Sequence, residues 1–131
     1  MGIVTALDIK VKLESMPSAS GRVRTELFGF PAQPLPQCSS LVNWEYCDIE
    51  ERDFLTLVCA NEHLSLKKLM YRCEHLDVLL AGAAPPNVLI NDGVHHIQDG
   101  NHRIAILSLL GFTSFPCRTY NMDDGNHPWQ V

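Results

Sequence analysis

Apolar residues recur at helical spacing from Leu66 to Leu80 (Leu66, Leu69, Met70, Cys73, Leu76, Leu80), with Ser65 placed to cap the start and Gly82 to end the run. Asn101 to Leu110 predicts a second helix, apolar almost all round, with Gly111 as its C-terminal stop. A third is expected from about residue 49 to 61. Asp48-Ile-Glu-Glu51 has the form of a capping box, acids crowd the turn that follows, and Phe54, Leu55, Leu57 and Val58 supply an apolar face.

Other stretches carry a period of two. Val4 to Leu13 alternates loosely, with Ile9, Val11 and Leu13 apolar against Asp8, Lys10 and Lys12, which predicts a strand. Val88–Ile90 and Val94–Gln98 predict two strands joined through Asn91-Asp92-Gly93, because Asn, Asp and Gly tolerate the positive φ of a tight hairpin turn. Phe112 to Tyr120 predicts another strand, with Pro116 marking its start or an edge. Ser15–Gly21 is turn-like. Phe28–Pro36 holds Gly29, Pro31, Pro34 and Pro36 and is expected to be loop or extended chain. The fold class expected is α/β (α+β): one small domain over 1–131, a small mixed sheet packed by helices, with 1–40 as an N-terminal extension and 121–131 as a polar tail.

Composition narrows the class. Hydrophobic residues make up 46% and charged residues 19%, a globular balance that argues against disorder. No run of 18 apolar residues exists, so no membrane span is expected. The start lacks basic residues and reaches Asp8 where a signal peptide would stay apolar, so it reads as mature chain. Met1-Gly2 begins like a myristoylation site, but Ala6 fills the position that needs Ser or Thr. Five cysteines (Cys38, Cys47, Cys59, Cys73, Cys117) are an odd number without a C-x-x-C pair, which points to reduced thiols in a cytoplasmic protein. The net charge is −5, with eight of the fifteen acids between residues 41 and 80. No basic stripe follows the chain, so nonspecific affinity for duplex DNA should be weak.

The chemistry concentrates in Asp99-Gly-Asn-His-Arg103, between a strand and a buried helix. A helix start presents unpaired N–H groups and partial positive charge, so it attracts anions. Gly100 permits close backbone approach. Arg103 offers a planar donor fork suited to phosphate oxygens, and His102 can add a second charge. Asp99 could hold the turn, orient His102 or bind a divalent ion that accompanies phosphates. The bland alternative is an ordinary capped helix with solvated side chains. His95 and His96 should face opposite sides of their strand, so no structural zinc frame is expected and no metal ligands are assigned. His96, taken to be on the motif side, is a candidate general base. Glu45, Glu50 and Glu51 read as a solvated helix start, Trp44 and Tyr46 as core aromatics beside it, Cys117 as buried, and Lys67 and Lys68 as solvated.

Residues 85–120 resemble the ParB/sulfiredoxin superfamily. The resemblance rests on Pro-Pro-Asn-Val-Leu-Ile, a turn, Val-His-His-Ile-Gln-Asp-Gly-Asn-His-Arg, a helix, Leu-Gly, and Phe-Pro-Cys-Arg, with the helix from Ser65 leading in. It implies that Gly100, Asn101, His102 and Arg103 contact the phosphates of a nucleotide. Sulfiredoxins carry their reactive cysteine where this chain has Asn101, so sulfinic-acid repair is not expected. Chromosome-partitioning members carry Gly-Glu-Arg-Arg and an added helical DNA-binding domain, for which too few residues follow 121. Short single-domain members with nuclease and ATPase activity match this length best. The resemblance therefore implies ATP or another nucleotide, with Mg²⁺, and phosphoryl transfer or hydrolysis carried by His102, Arg103 and Asp99. The alternatives are a metal-dependent DNA nuclease on the same site, and a non-catalytic module that docks on a protein partner through an acidic helix face at 45–62 and the Pro-rich segment at 28–36.

Overall fold

Thr5 and Asp8 set the first element of the computed structural model, which describes residues 4–81 and 84–124. Asp8 N–H donates to Thr5 Oγ1 and Thr5 N–H donates to Asp8 Oδ2, a reciprocal capping box that starts helix α1 (Ala6–Ser15). This corrects the strand expected over Val4–Leu13. Ile9 and Leu13 fit either period, being four apart. The helix buries both and turns Leu7 (68% exposed) and Val11 (57% exposed) to solvent, whereas a strand would have placed Val11 beside them.

The chain continues through strands β1 (Ser18–Ala19), β2 (Arg22–Arg24), β3 (Asp48–Asp53), β4 (Leu57–Cys59) and β5 (His63–Ser65). Helices α2 (Leu66–Glu74) and α3 (Leu76–Leu80) follow, then β6 (Asn87–Asn91), β7 (Val94–Asp99), α4 (Asn101–Leu109) and β8 (Ser114–Asn121). β1, β2 and β5 form a small antiparallel sheet. The main sheet has the order β3-β8-β6-β7-β4 and is mixed: β3–β8 and β6–β7 are antiparallel, β6–β8 and β4–β7 parallel. The domain is thus a small mixed α/β structure, as the coarse reading expected.

The helix expected over 49–61 does not form. Asp48–Asp53 is an edge strand paired along its length with β8, Phe54–Thr56 is a single 3₁₀ turn, and Leu57–Cys59 is the opposite edge strand. Asp53 Oδ1, not Asp48, caps the short turn by accepting Leu55 N–H at 2.7 Å. Acids on both faces of an edge strand suit a site that must resist pairing with other chains, and they happen to copy a capping-box pattern. The acidic helix face expected at 45–62 as a docking surface is therefore absent. At the other edge, Cys59 N–H donates to Pro31 O and Gln33 N–H to Cys59 O, so the Pro-rich segment covers β4.

The helix expected from Ser65 to Leu80 is present but broken at His75, which leaves helical geometry at φ −118° and ψ 40°. Ser65 caps it as expected, its Oγ accepting Lys68 N–H at 3.2 Å. The β6–β7 hairpin turns through Asp92 (φ 52°) and Gly93 (φ 73°), and both of their N–H groups donate to the Asp123 carboxylate. Beyond α4, Gly111 (φ 97°) N–H donates to Ser108 O and Phe112 N–H to Leu107 O, a Schellman ending. Pro116 sits where β8 has a neighbour on one side only, since β6 joins it from Arg118 onward. Gly82, Met1-Gly2 and the tail from 125 lie outside the described residues.

The larger core joins Ile9, Leu13, Leu69, Cys73, Leu57, Cys59, Val88, Ile97, Cys117 and the Ile104–Leu107 run of α4. Val23, Phe28 and Phe30 belong to the same cluster, so residues from the segment before 40 help build it. A smaller core of Val42, Leu89 and Tyr120 lies on the other sheet face, with Trp44 and Cys47 packed against it. No helix among the described residues is long and apolar enough to cross a membrane.

Candidate functional site

β7 delivers the chain to the base of a cleft, where one glycine turns it into α4. Gly100 has φ +98°, and a Cβ there would stand 2.8 Å from Pro86 Cβ and 3.0 Å from Arg103 Nη2. Only glycine allows both the turn and the closeness. Gly100 O accepts Ile104 N–H at 2.9 Å, closing the first helical turn. Among the described residues no side chain caps this helix, so its first N–H donors lack the usual hydroxyl or carboxylate.

The other motif residues divide their work. Arg103 donates to the carbonyl of Ala84 and stands 3.4 Å from Asp99 Oδ2. Its side chain is only 11% exposed, and part of its donor fork is spent on its own chain. Asn101 Oδ1 accepts from the Cys59 thiol at 3.0 Å, tying the helix start to β4. His102 Nε2 accepts the backbone N–H of Ser65 at 3.0 Å, which leaves Nδ1 as the protonated nitrogen of a neutral ring. Burial, then Lys68 and Arg72, push its pKa down to about 4. At neutral pH the motif therefore contributes one cation, Arg103, where the sequence suggested two.

α2 forms the opposite wall. Lys67, Lys68, Tyr71 and Arg72 share with Gln98–Arg103 the lining of a cleft of about 750 Å³. Lys67 and Lys68 are exposed, as expected, but they stand on the wall of the site rather than on a remote face. Neither lysine nor Arg72 makes an ion pair among the described residues; Arg72 lies 5.8 Å from the centre of the Tyr71 ring. In the sequence Lys67 and Lys68 read only as solvated and Tyr71 and Arg72 are not singled out, though a signal is present. The first turn of α2 holds two lysines and no acid, against the preference for negative charge at a helix start.

His96 is not on the motif side. It stands in register with Leu89, on the sheet face of the smaller core, and is buried there. Strand alternation places His95 on the opposite face, as expected. Nδ1 of each ring has no hydrogen-bond partner among the described residues, and burial chiefly lowers both pKa values. Glu45, Glu50 and Glu51 are exposed and do not line the cleft; Glu50 pairs with Arg52. Trp44 packs on the smaller core, whereas Tyr46 is 84% exposed and not a core residue. Cys47, Cys59, Cys73 and Cys117 are free thiols, and Cys117 is buried as expected. No group of three or more His, Cys, Asp or Glu among the described residues is arranged to hold a metal ion.

Compared with protein-family models, curated proteins and solved structures, the chain has no match.

Proposed function

We propose that this chain binds a nucleotide by its phosphates in the cleft between α4 and α2, and hydrolyses or transfers a phosphoryl group there. The observation that carries the reading is, among the described residues, the start of α4: a glycine turn without a side-chain cap, faced by Lys67, Lys68 and Arg72, which make no ion pair. Phosphate oxygens would take the open backbone donors of residues 101–103, with Lys68, Arg72 and the free side of the Arg103 guanidinium supplying charge. His102 contributes a neutral Nδ1–H donor. Asp99 holds Arg103, and it is the carboxylate available to a Mg²⁺ ion that arrives with the phosphates. Donors already aimed at a site stabilise charge that develops on a transferring phosphoryl group without having to reorganise.

The order of elements supports a ParB/sulfiredoxin-like reading. A hairpin precedes the glycine turn, a buried helix follows it, and Leu110-Gly111 leads to a strand containing Pro116. Calorimetry with ATP, ADP and CTP, with and without Mg²⁺, tests the binding, and phosphate release tests the turnover. Arg103→Ala should weaken nucleotide binding by at least ~1.5 kcal/mol, the scale of a charge-assisted hydrogen bond. Absence of binding of all three nucleotides to the wild-type protein overturns the proposal.

A further inference from the structure

The cleft does not end at His102. It adjoins a second cavity of about 670 Å³, bounded by the β1–β2 turn, β2 and residues 60–65, and the two share Asn61, Ser65, Lys68 and His102 as common lining. The partition between them is built by bonds from two backbone N–H groups. Leu66 N–H donates to Gly21 O at 2.8 Å and Ser65 N–H to His102 Nε2 at 3.0 Å, so the hairpin, α2 and α4 meet at one place. Those bonds occupy the donors of Ser65 and Leu66, and Lys68 N–H is held by Ser65 Oγ. Charge in the trough therefore comes from side chains.

That charge is concentrated. Arg22, Lys67, Lys68, Arg72 and Arg103 line the trough, half of the ten lysines and arginines in a chain of net charge −5. The acids lining it are Glu62 and Asp99, and Asp99 is engaged by Arg103. Arg22 makes no ion pair among the described residues, unlike Arg24 two residues on, which pairs with Glu26 at 3.1 Å. Cations brought together from three elements, those of β2 and α2 without an ion pair among the described residues, repel one another, and an anion relieves the repulsion. Arg103 lines only the first cavity and Arg22 only the second, so a phosphate seated in one cavity meets only one of the two. A long nucleic acid would run out of the trough onto a surface where five cations face thirteen acids. A short, dense polyanion fits both constraints.

We infer that the trough takes a linear phosphoanhydride chain of three phosphoryl groups, with Arg22 and Lys68 holding the groups farthest from α4. The inference rests on the phosphate reading of the α4 site and adds the second cavity and Arg22 as the part that selects chain length. The test is calorimetry on the full chain with orthophosphate, pyrophosphate and tripolyphosphate, without nucleoside. Tripolyphosphate should bind at least tenfold more tightly than orthophosphate. Arg22→Ser should weaken tripolyphosphate at least fivefold and leave pyrophosphate within twofold. Arg24→Ser, on the same short strand but already paired, should change neither and controls for net charge. Far-UV circular dichroism and a melt confirm that both variants fold. Equal affinity for the three anions, an unaltered tripolyphosphate affinity in Arg22→Ser, or tighter binding of a 20-nucleotide single strand than of tripolyphosphate each overturns the inference. Nucleotide binding with no dependence on phosphate number would leave the α4 reading standing while this one falls. Absence of binding of every anion, ATP, ADP and CTP included, removes both.

Discussion

His102 Nε2 accepts the backbone N–H of Ser65 at 3.0 Å, so the first turn of α4 is tied to the cap residue of α2. The two residues are 37 apart in sequence. The bond fixes the two walls of the cleft against each other with an uncharged ring. Protonation of Nε2 would abolish it, because the nitrogen would then have no lone pair to offer. The environment agrees with the geometry, since burial and the neighbouring Lys68 and Arg72 disfavour the charged form.

Replacing the ring removes the acceptor that the described residues offer that N–H. In His102→Ala a part-buried backbone donor is left without a partner, a loss of about 1–3 kcal/mol. Thermal melts at pH 7.5 should show a midpoint several degrees below the wild type. An unchanged midpoint would mean that the bond does not hold the walls together.

Acid should destabilise the fold before the carboxylates titrate. An unfolded histidine ionises near pH 6.5, whereas folded His102 does so at about 4. Between those values the unfolded chain binds a proton that the folded chain refuses, so stability is complete above about pH 6.5 and falls as pH drops toward 4. His95 and His96 are shifted in the same direction by burial. His102 alone accounts for up to about 3 kcal/mol, less the screening that a part-exposed ring retains. Urea midpoints at pH 7.5 and 5.0 measure the effect. The drop between them should be larger for the wild type than for His102→Ala, and an equal drop in both would remove His102 as its source.

Two glycines with nearly the same backbone angle should respond differently to alanine. Gly100 and Gly111 have φ of +98° and +97°, so each Ala substitution carries a left-handed penalty of roughly 1–2 kcal/mol. At Gly111 nothing lies within 4 Å of the new Cβ, and the penalty ends there. At Gly100 the Cβ would also press on Pro86 and the Arg103 guanidinium. Overpacking adds about 1–3 kcal/mol, and Arg103 would have to leave its place over the turn. Gly100→Ala should therefore be the less stable variant in urea and the weaker in anion binding, with Gly111→Ala close to wild type in binding. Equal losses in both assays would show that Gly100 serves only the turn angle.

Local chemistry made these glycines legible in the sequence. A positive φ favours Gly, Asn or Asp, so Asn91-Asp92-Gly93, Gly100 and Gly111 announced their turns, whereas Ser20, at φ 54°, did not. The α4 helix was equally plain, because Ile104 to Leu107 are buried together. The two elements assigned to the wrong type came from patterns that satisfy more than one structure. Ile9 and Leu13 share a face in both a helix and a strand, and only the Thr5–Asp8 box separates the two. Asp48-Ile-Glu-Glu51 copies a helix start, yet its structure is set by β8, about 67 residues away, as in the Arg52–Thr119 hydrogen bond. Pairing at that distance leaves no local trace on an edge strand with acids on both faces. The basic wall of the cleft failed for a related reason. Lys67 and Lys68 look solvated on their own helix, and only the folding of β7 and α4 alongside makes that face a site.

Cysteine reactivity offers a probe of the same core. Burial raises the thiol pKa of Cys59 and Cys73, and raises that of Cys117 to about 12. The thiolate is the nucleophile, so at pH 8 these three should be both hidden and almost wholly protonated. Cys59 is further occupied, its S–H donating to Asn101 Oδ1 beside the candidate site. Iodoacetamide on the native protein should leave Cys59, Cys73 and Cys117 unmodified by peptide mapping, while the half-buried Cys47 reacts slowly. The same reagent in urea should label all five cysteines of the chain, Cys38 included. If an anion binds the start of α4, saturating tripolyphosphate should protect Cys59 further against labelling in partial urea, because ligand held by the folded state suppresses the opening that exposes it. Native labelling of Cys59 ahead of Cys47 would contradict the packing of β4 against α4 on which the cleft depends.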